Sequence, residues 1–220
     1  MEYQGYGKFI TELIEQAPYG TAMFTEEVAK NLSEQFAIPL DHAKKVTNAN
    51  LKRLADKGVI ERLQSGIYYK ALDTVFGKTK PNIDAVMTRF LTVSGEEIIG
   101  YETSVSFQNS IGLITLMPRM KEIVTNRHRN KLDKKCHIIL RRPKTEINKD
   151  NYKYLQLLDL VDEFPSVYTD AEDPYRLLNE HLVKQNLDKL KLIVLAKKYY
   201  PQKTLLRLLD IIFEVEYETA

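Results

Sequence analysis

The sequence predicts an α+β fold, and three observations carry that prediction. Apolar residues recur at helical spacing through most of residues 1–57 and again through 151–220. The stretch GVIERLQSGIYYK, Gly58 to Lys70, places strand formers on both sides of a polar glycine turn. Two further apolar-centred runs, KEIVTNR and KKCHIILRR, read as strands in the second half of the chain.

Tyr6 to Gln16 reads as a first helix, with Phe9, Ile10, Leu13 and Ile14 on one stripe. Pro18 and Gly20 end it. Thr25 is placed to cap a second helix, TEEVAKNLSEQF, whose Glu26 and Glu27 lie in the first turn where the helix dipole favours anions. After the proline turn AIPL, Asp41 is placed to cap a third helix running to about Lys57, with Gly58 as its stop. The hairpin Val59–Leu63, Gln64-Ser65-Gly66, Ile67–Tyr69 follows. Three helices and then a two-stranded hairpin is the order of a winged helix-turn-helix, whose third helix enters the DNA major groove. On a helical wheel Ala43, Val46, Thr47, Leu51 and Leu54 cluster on a core side. Lys45, Asn48, Ala49 and Lys52 fall opposite, with Lys44 and Arg53 on the flanks. That outer face is basic, carries one amide able to read a base edge, and has one small residue that permits close approach. Arg62, Gln64 and Ser65 would sit on the wing and touch backbone or minor groove.

The polar connection ALDTVFGKTKPN, with Gly77 and Pro81, is read as a domain boundary, giving a first domain over 1–76 and a second over 82–220. The second opens with the amphipathic helix IDAVMTRFLTVS. GYETSVSFQNSIGL, rich in small residues, suits a helix packed closely on a sheet. KEIVTNR and KKCHIILRR, separated by HRNKLD, predict an antiparallel hairpin with basic ends, so the second domain is expected to mix helices with antiparallel strands. Helical runs from Asn151 to Val161, from Asp173 to Lys184 and from Leu187 onward close the chain, the last split by Pro201.

Hydrophobic content of 44% and charged content of 28% are those of a globular protein with ordinary cores. No window has the roughly 18 apolar residues that span a bilayer, and MEYQGYGKFITEL lacks the layout of a signal peptide. With one cysteine, Cys136, no disulfide framework or thiolate zinc cluster forms within one chain. The expected location is cytoplasmic.

Net charge is only +2, but it is unevenly spread. Residues 1–80, 81–116, 117–153 and 154–220 carry nets of +1, −3, +8 and −4. The 117–153 segment, with twelve Lys and Arg against four Asp and Glu, has the footprint of a phosphate-binding surface. Its candidate contacts are Arg127, Arg129, Lys131, Lys134, Lys135, Arg141 and Arg142.

Catalytic patterns are missing. There is no P-loop or dinucleotide glycine motif. His42, His128, His137 and His181 are scattered without an i, i+4 pair, so no metal site is expected. Cys136 and His137, adjacent on a strand, point to opposite faces and make no dyad. LDLVDEF and DAEDP offer carboxylates, without the pairs of a nucleotidyltransferase or a nuclease. No catalytic residue and no cofactor is assigned, and the chain is read as a non-enzyme.

Two motifs carry a resemblance. IGYETSVSFQNSIGLITLMPRMKEIVTNR followed by KKCHIILRRPKTEI resembles the C-terminal part of the AbiEi family of bacterial antitoxins, through Gly112, Leu113, Thr115, Pro118 and the strand Ile123 to Arg127. LKRLADKGVIERLQSGIYYK is similar to that family's winged-helix signature, through Leu51, Leu54, Gly58, Ile60, Arg62, Gly66 and Tyr68. Leu116 and Met117 depart from the pattern, and Ser65 stands where a basic residue is common. The likeness spans roughly residues 6–214. It implies a transcriptional autorepressor and antitoxin of a type IV toxin–antitoxin (abortive-infection, phage-defence) operon. Such a protein binds inverted repeats upstream of its own operon, where two copies would form a homodimer on double-stranded operator DNA. It opposes a nucleotidyltransferase-like toxin without a stable complex, and its C-terminal domain is needed for the antitoxin activity and helps in DNA binding. The alternative reading is an interaction module that reads no DNA and docks directly on a partner protein.

Overall fold

A computed structural model describes the backbone of residues 2–127, 132, 136–164 and 169–218, and side chains between residues 5 and 213 of that set. Helices and short sheets mix along the chain, an α+β arrangement. The chain divides into two compact units, Met1–Phe90 and Leu91–Ala220.

The first unit runs α1 (Glu2–Gln16), β1 (Ala22–Phe24), α2 (Thr25–Phe36), α3 (Leu40–Asp56), β2 (Glu61–Gln64), β3 (Ile67–Tyr69), β4 (Asp73–Thr74), β5 (Gly77–Lys78) and α4 (Ile83–Thr92), the last crossing the division. The four-residue spacing of Tyr6, Ile10 and Ile14 puts all three on one face of α1, where they are buried with Val28, Ala29 and Leu32 of α2 and Ala43, Leu51 and Leu54 of α3. Ile60 and Tyr68 close that core from the hairpin side. The hairpin is joined by β1 to make an antiparallel sheet of order β1-β3-β2.

The ends of α3 show how the sequence sets its length. Gly58 takes φ +74°, donating its N–H to Ala55 O while the Val59 N–H reaches back to Leu54 O. This is a Schellman stop, and glycine takes its left-handed conformation without a Cβ penalty. The expected caps are different. Helix α2 begins at Thr25 itself with Phe24 as N-cap, and the Thr25 hydroxyl is buried without a hydrogen bond. The Thr25 N–H is taken by Gly66 O of the hairpin turn, a tertiary bond that satisfies one of the donors at the start of the helix. Helix α3 begins at Leu40 after Pro39, which places Asp41 inside the first turn rather than at the cap.

Helix α4 lies against β1 and the hairpin. Phe90 stacks on Phe24 with ring centroids 5.8 Å apart, and Arg89 pairs with Glu27 at 2.8 Å. These contacts hold residues 83–90 in the first unit, so the division falls later than the connection at Gly77 and Pro81. That connection itself contains the small antiparallel hairpin β4–β5.

The second unit continues with β6 (Val93–Ser94), β7 (Glu97–Ile98), β8 (Gly100–Thr103), α5 (Ser104–Ser110), β9 (Lys121–Thr125), β10 (Ile138–Arg141), α6 (Tyr152–Glu163), α7 (Pro174–Lys184), α8 (Lys189–Tyr199) and α9 (Gln202–Glu218). Its core gathers Tyr101, Phe107, Leu113 and Val124 with apolar faces of α6, α7, α8 and α9. Gly100 is required by close approach, because a Cβ there would lie 2.5 Å from Leu91 O and 2.6 Å from Val124 O. Asp173 caps α7 through the Arg176 N–H, and Asp188 caps α8 through the Leu190 and Lys191 N–H groups. Pro201 separates α8 from α9.

The expected antiparallel hairpin of KEIVTNR and KKCHIILRR is not formed. Strand β8 pairs antiparallel with β9, but β10 pairs parallel with β9, Ile138 beside Lys121 and Arg141 beside Val124. The physical reason is the connection. Residues 126–137 separate the strands, and about a dozen residues suffice for a crossover that returns the chain to the same end. The second unit therefore holds a mixed sheet of order β10-β9-β8.

Candidate nucleic-acid interface

Helix α3 is amphipathic in the sense its sequence implies. Ala43, Thr47, Leu51 and Leu54 are buried, and Val46 is half-buried. Lys45, Asn48, Ala49 and Lys52 are exposed on the opposite face at i, i+3, i+4 and i+7, with Lys44 half-buried beside them. Arg53 is exposed but engaged, donating to Asn50 Oδ1 at 2.7 Å while Asn50 donates to Val46 O. It is thereby drawn towards α1, where a Cβ on Gly7 would come within 3.5 Å of its Nη2. Lys45, Asn48 and Lys52 are left as the outward donors of the helix.

The hairpin carries the other expected contacts. Arg62 and Ser65 are exposed, Ser65 at the turn. Gln64 does not point outward: its Nε2 donates to Met87 Sδ of α4 at 2.8 Å, across the irregularity in pairing between Arg62 and Gln64. The bulge at Leu63 re-aims the side chains that follow it, turning the amide onto α4. A hollow of about 300 Å³ is lined by Lys52, Ala55 and Asp56 of α3 with Ile60, Glu61, Arg62 and Tyr68 of the hairpin, so two cations of the surface share one concavity.

The basic segment 117–153 is partly neutralised by folding. Arg141 is half-buried between Glu122, at 3.4 Å, and Glu163, which it contacts directly. It is engaged by carboxylates of its own unit, at a position the sequence assigns to phosphate contact. Strand β10 directs it at the C-terminal end of α6. Lys144 pairs with Asp162 at 2.6 Å and Lys121 with Glu102 at 2.9 Å. Arg142 is exposed and Arg127 half-buried. Arg129, Lys131, Lys134 and Lys135 lie outside the described residues.

The carboxylates of LDLVDEF are consumed by this same arrangement. Asp159 is buried and accepts hydrogen bonds from the hydroxyls of Tyr101 and Tyr200, each at 2.7 Å. Burial raises its carboxyl above the usual range, against the lowering effect of the two hydroxyls and of Lys144 and Arg141. It also pushes both tyrosine hydroxyls up, aided by the charge of Asp159. Asp162 is lowered: burial opposes, but hydrogen bonds from Lys144 and Thr204 prevail. The sequence signal for these roles is weak, since the tyrosines lie 58 and 41 residues from Asp159. Among the described residues no group of three or more His, Cys, Asp or Glu is placed to hold a metal ion, and no helix is long and apolar enough to cross a membrane. Cys136 is buried and His137 exposed just before β10.

The turn of β4–β5 holds Val75 and Phe76 at 95% and 98% exposure. No protein-family model matches the chain, and no curated protein matches it.

Proposed function

We propose that the chain is a DNA-binding autorepressor and antitoxin of the AbiEi kind, with the first unit a winged helix-turn-helix. The observation that carries the reading is the outward face of α3. Lys45, Asn48, Ala49 and Lys52 stand exposed together, and the helix is followed at once by a hairpin bearing Arg62 and Ser65. The order α1-β1-α2-α3-β2-β3 and the sheet order β1-β3-β2 support the same reading. In the mechanism α3 enters the major groove, Asn48 pairs with a base edge, and Ala49 permits the approach. Lys44, Lys45, Lys52 and Arg62 bind phosphates and fix the register. Occupancy of the upstream repeats silences the operon, and the second unit opposes the nucleotidyltransferase-like toxin.

The test is a pair of substitutions read on the upstream duplex and on a scrambled one. Asn48→Ala is expected to cost roughly 1–3 kcal/mol on the upstream duplex and little on the scramble, whereas Lys52→Ala weakens both alike. Equal binding by Asn48→Ala and wild type would remove Asn48 from the reading. Co-expression with the neighbouring gene tests the antitoxin half: the intact chain is expected to restore growth.

A second reading, docking on a partner protein, is favoured by a different observation. Leu116, Met117 and Met120 are exposed on a loop that Asn109 holds through Ile114 O and Leu116 O. Methionine-rich surfaces adapt readily to protein partners. Co-purification of a stable complex with the neighbouring gene product would favour it.

A further inference from the structure

We infer that the β4–β5 hairpin is a second DNA-contacting element, whose Val75 and Phe76 wedge between stacked base pairs of the minor groove beside the site that α3 reads. The inference rests on the DNA-binding reading above and adds to it a deformation of the duplex.

The tip is built to stay out. A hairpin of two-residue strands has little stability of its own, yet this one is closed by a dense set of local bonds. The Leu72 N–H donates to Thr79 Oγ1 at 2.8 Å and the Thr79 N–H to Leu72 O at 2.9 Å. Thr74 Oγ1 donates to Gly77 O at 2.7 Å and accepts from the Phe76 N–H at 3.2 Å. Two large apolar side chains at near-total exposure are thus held on a fixed turn, where collapse onto the unit would bury them.

Its anchor lies on the candidate interface. Lys78 of β5 pairs with Glu61 of β2 at 2.5 Å, and Glu61 lines the same hollow as Lys52 and Arg62. The hairpin is therefore continuous with the α3–β2 surface. Residues 70–80 carry Lys70, Lys78 and Lys80 against Asp73, and Lys80 is exposed. Lys70 is held at the base, donating to Glu15 O and lying 4.5 Å from the Tyr19 ring. With Lys78 neutralised by Glu61, the cations left open around the tip are Lys80 on its stem and Arg62 and Lys52 on the surface it adjoins. An apolar tip beside exposed cations suits a polyanion whose interior is apolar. Duplex DNA has that character, and proteins that enter its minor groove insert such side chains between base steps, kinking the duplex. Pyrimidine–purine steps yield most readily and are the expected point of entry.

The experiment uses the full chain and the duplex from directly upstream of its gene, carrying 2-aminopurine at one pyrimidine–purine step at a time and a fluorophore pair at the ends. Wild type is expected to brighten 2-aminopurine at one step and shorten the end-to-end distance. The double variant Val75→Ser, Phe76→Ser is expected to lose both signals and bind about tenfold or more weakly, with an unchanged salt slope because no charge is altered. Phe76→Leu, which keeps an apolar wedge, is expected to keep both signals. The tip is exposed, so thermal unfolding of all variants should match wild type. Wild-type binding without brightening or bending overturns the inference, as does a double variant that binds and bends like wild type. A change in the sedimentation of the free double variant also overturns it, because the tip then seats on a second copy. Failure of wild type to prefer the upstream duplex over a scramble overturns the DNA-binding reading itself, and is told apart because it is read on wild type alone.

Discussion

Two arginines that adjoin in sequence, Arg141 and Arg142, have different work in the fold. Arg141 satisfies Glu163 and Glu122, while Arg142 is exposed. Arg141→Ala is expected to lower stability by about 1–3 kcal/mol because it takes the cation away from two half-buried carboxylates. Arg142→Ala should stay within about 0.5 kcal/mol, both read by denaturant unfolding. Asp159 sets a pH dependence whose sign can be worked out. Its folded carboxyl titrates above its unfolded one, so the folded state holds the extra proton between the two values. Stability from this group is full at pH below the unfolded carboxylate range and falls as pH rises through the folded value. Asp162 and Asp170 are shifted down and act oppositely, their contribution being lost only as pH falls below the usual carboxylate range. Asp159→Asn is therefore expected to flatten the decline above about pH 4, measured by urea midpoints across pH. An unchanged profile would show that another group titrates there. The outward face of α3 was readable at this scale, because Ala43, Thr47, Leu51 and Leu54 follow the helical period without interruption. Asp159 was not, because its partners come from β8 and from the C-terminal cap of α8, far away in sequence.

Among the elements, α3 has its end set by chain geometry and β8 its place by close approach. Gly58→Ala is expected to cost about 1–2 kcal/mol, since the Cβ meets nothing and only the left-handed backbone is penalised. Gly100→Ala is expected to cost more, about 3 kcal/mol, because its Cβ would run into two carbonyl oxygens. Comparing the two unfolding curves checks the ranking, and the reverse order would contradict the packing around β8. The helices were legible from periodicity, and Gly58 and Pro201 marked real ends. Pairing of β9 with β10 was not legible, because direction depends on the path of residues 126–137 and not on either strand's own pattern. The β4–β5 hairpin was hidden for another reason. Its strands are two residues each inside a stretch that reads as a polar connection, and only Thr74, Gly77 and Thr79 hint at the turn they close around Val75 and Phe76.

For the whole molecule, the distribution of charge matters more than its total. The +8 of residues 117–153 overstates the field at the surface, because Glu102, Asp162 and Glu163 reach across from the flanking acidic segments to pair with Lys121, Lys144 and Arg141. The near-neutral first unit, by contrast, concentrates Lys44, Lys45, Lys52 and Arg62 on α3 and β2. Specific binding should accordingly follow the first unit's cations. The most direct test is fluorescence anisotropy of the duplex directly upstream of the gene against a scrambled duplex, over a salt series. The expected result is a preference of roughly 10³-fold, with log affinity falling against log salt at a slope of about −3 to −4 per protomer, as four phosphate contacts would give. Equal binding of the two duplexes at every salt concentration would contradict a DNA-reading α3 and leave its cationic face to a protein partner.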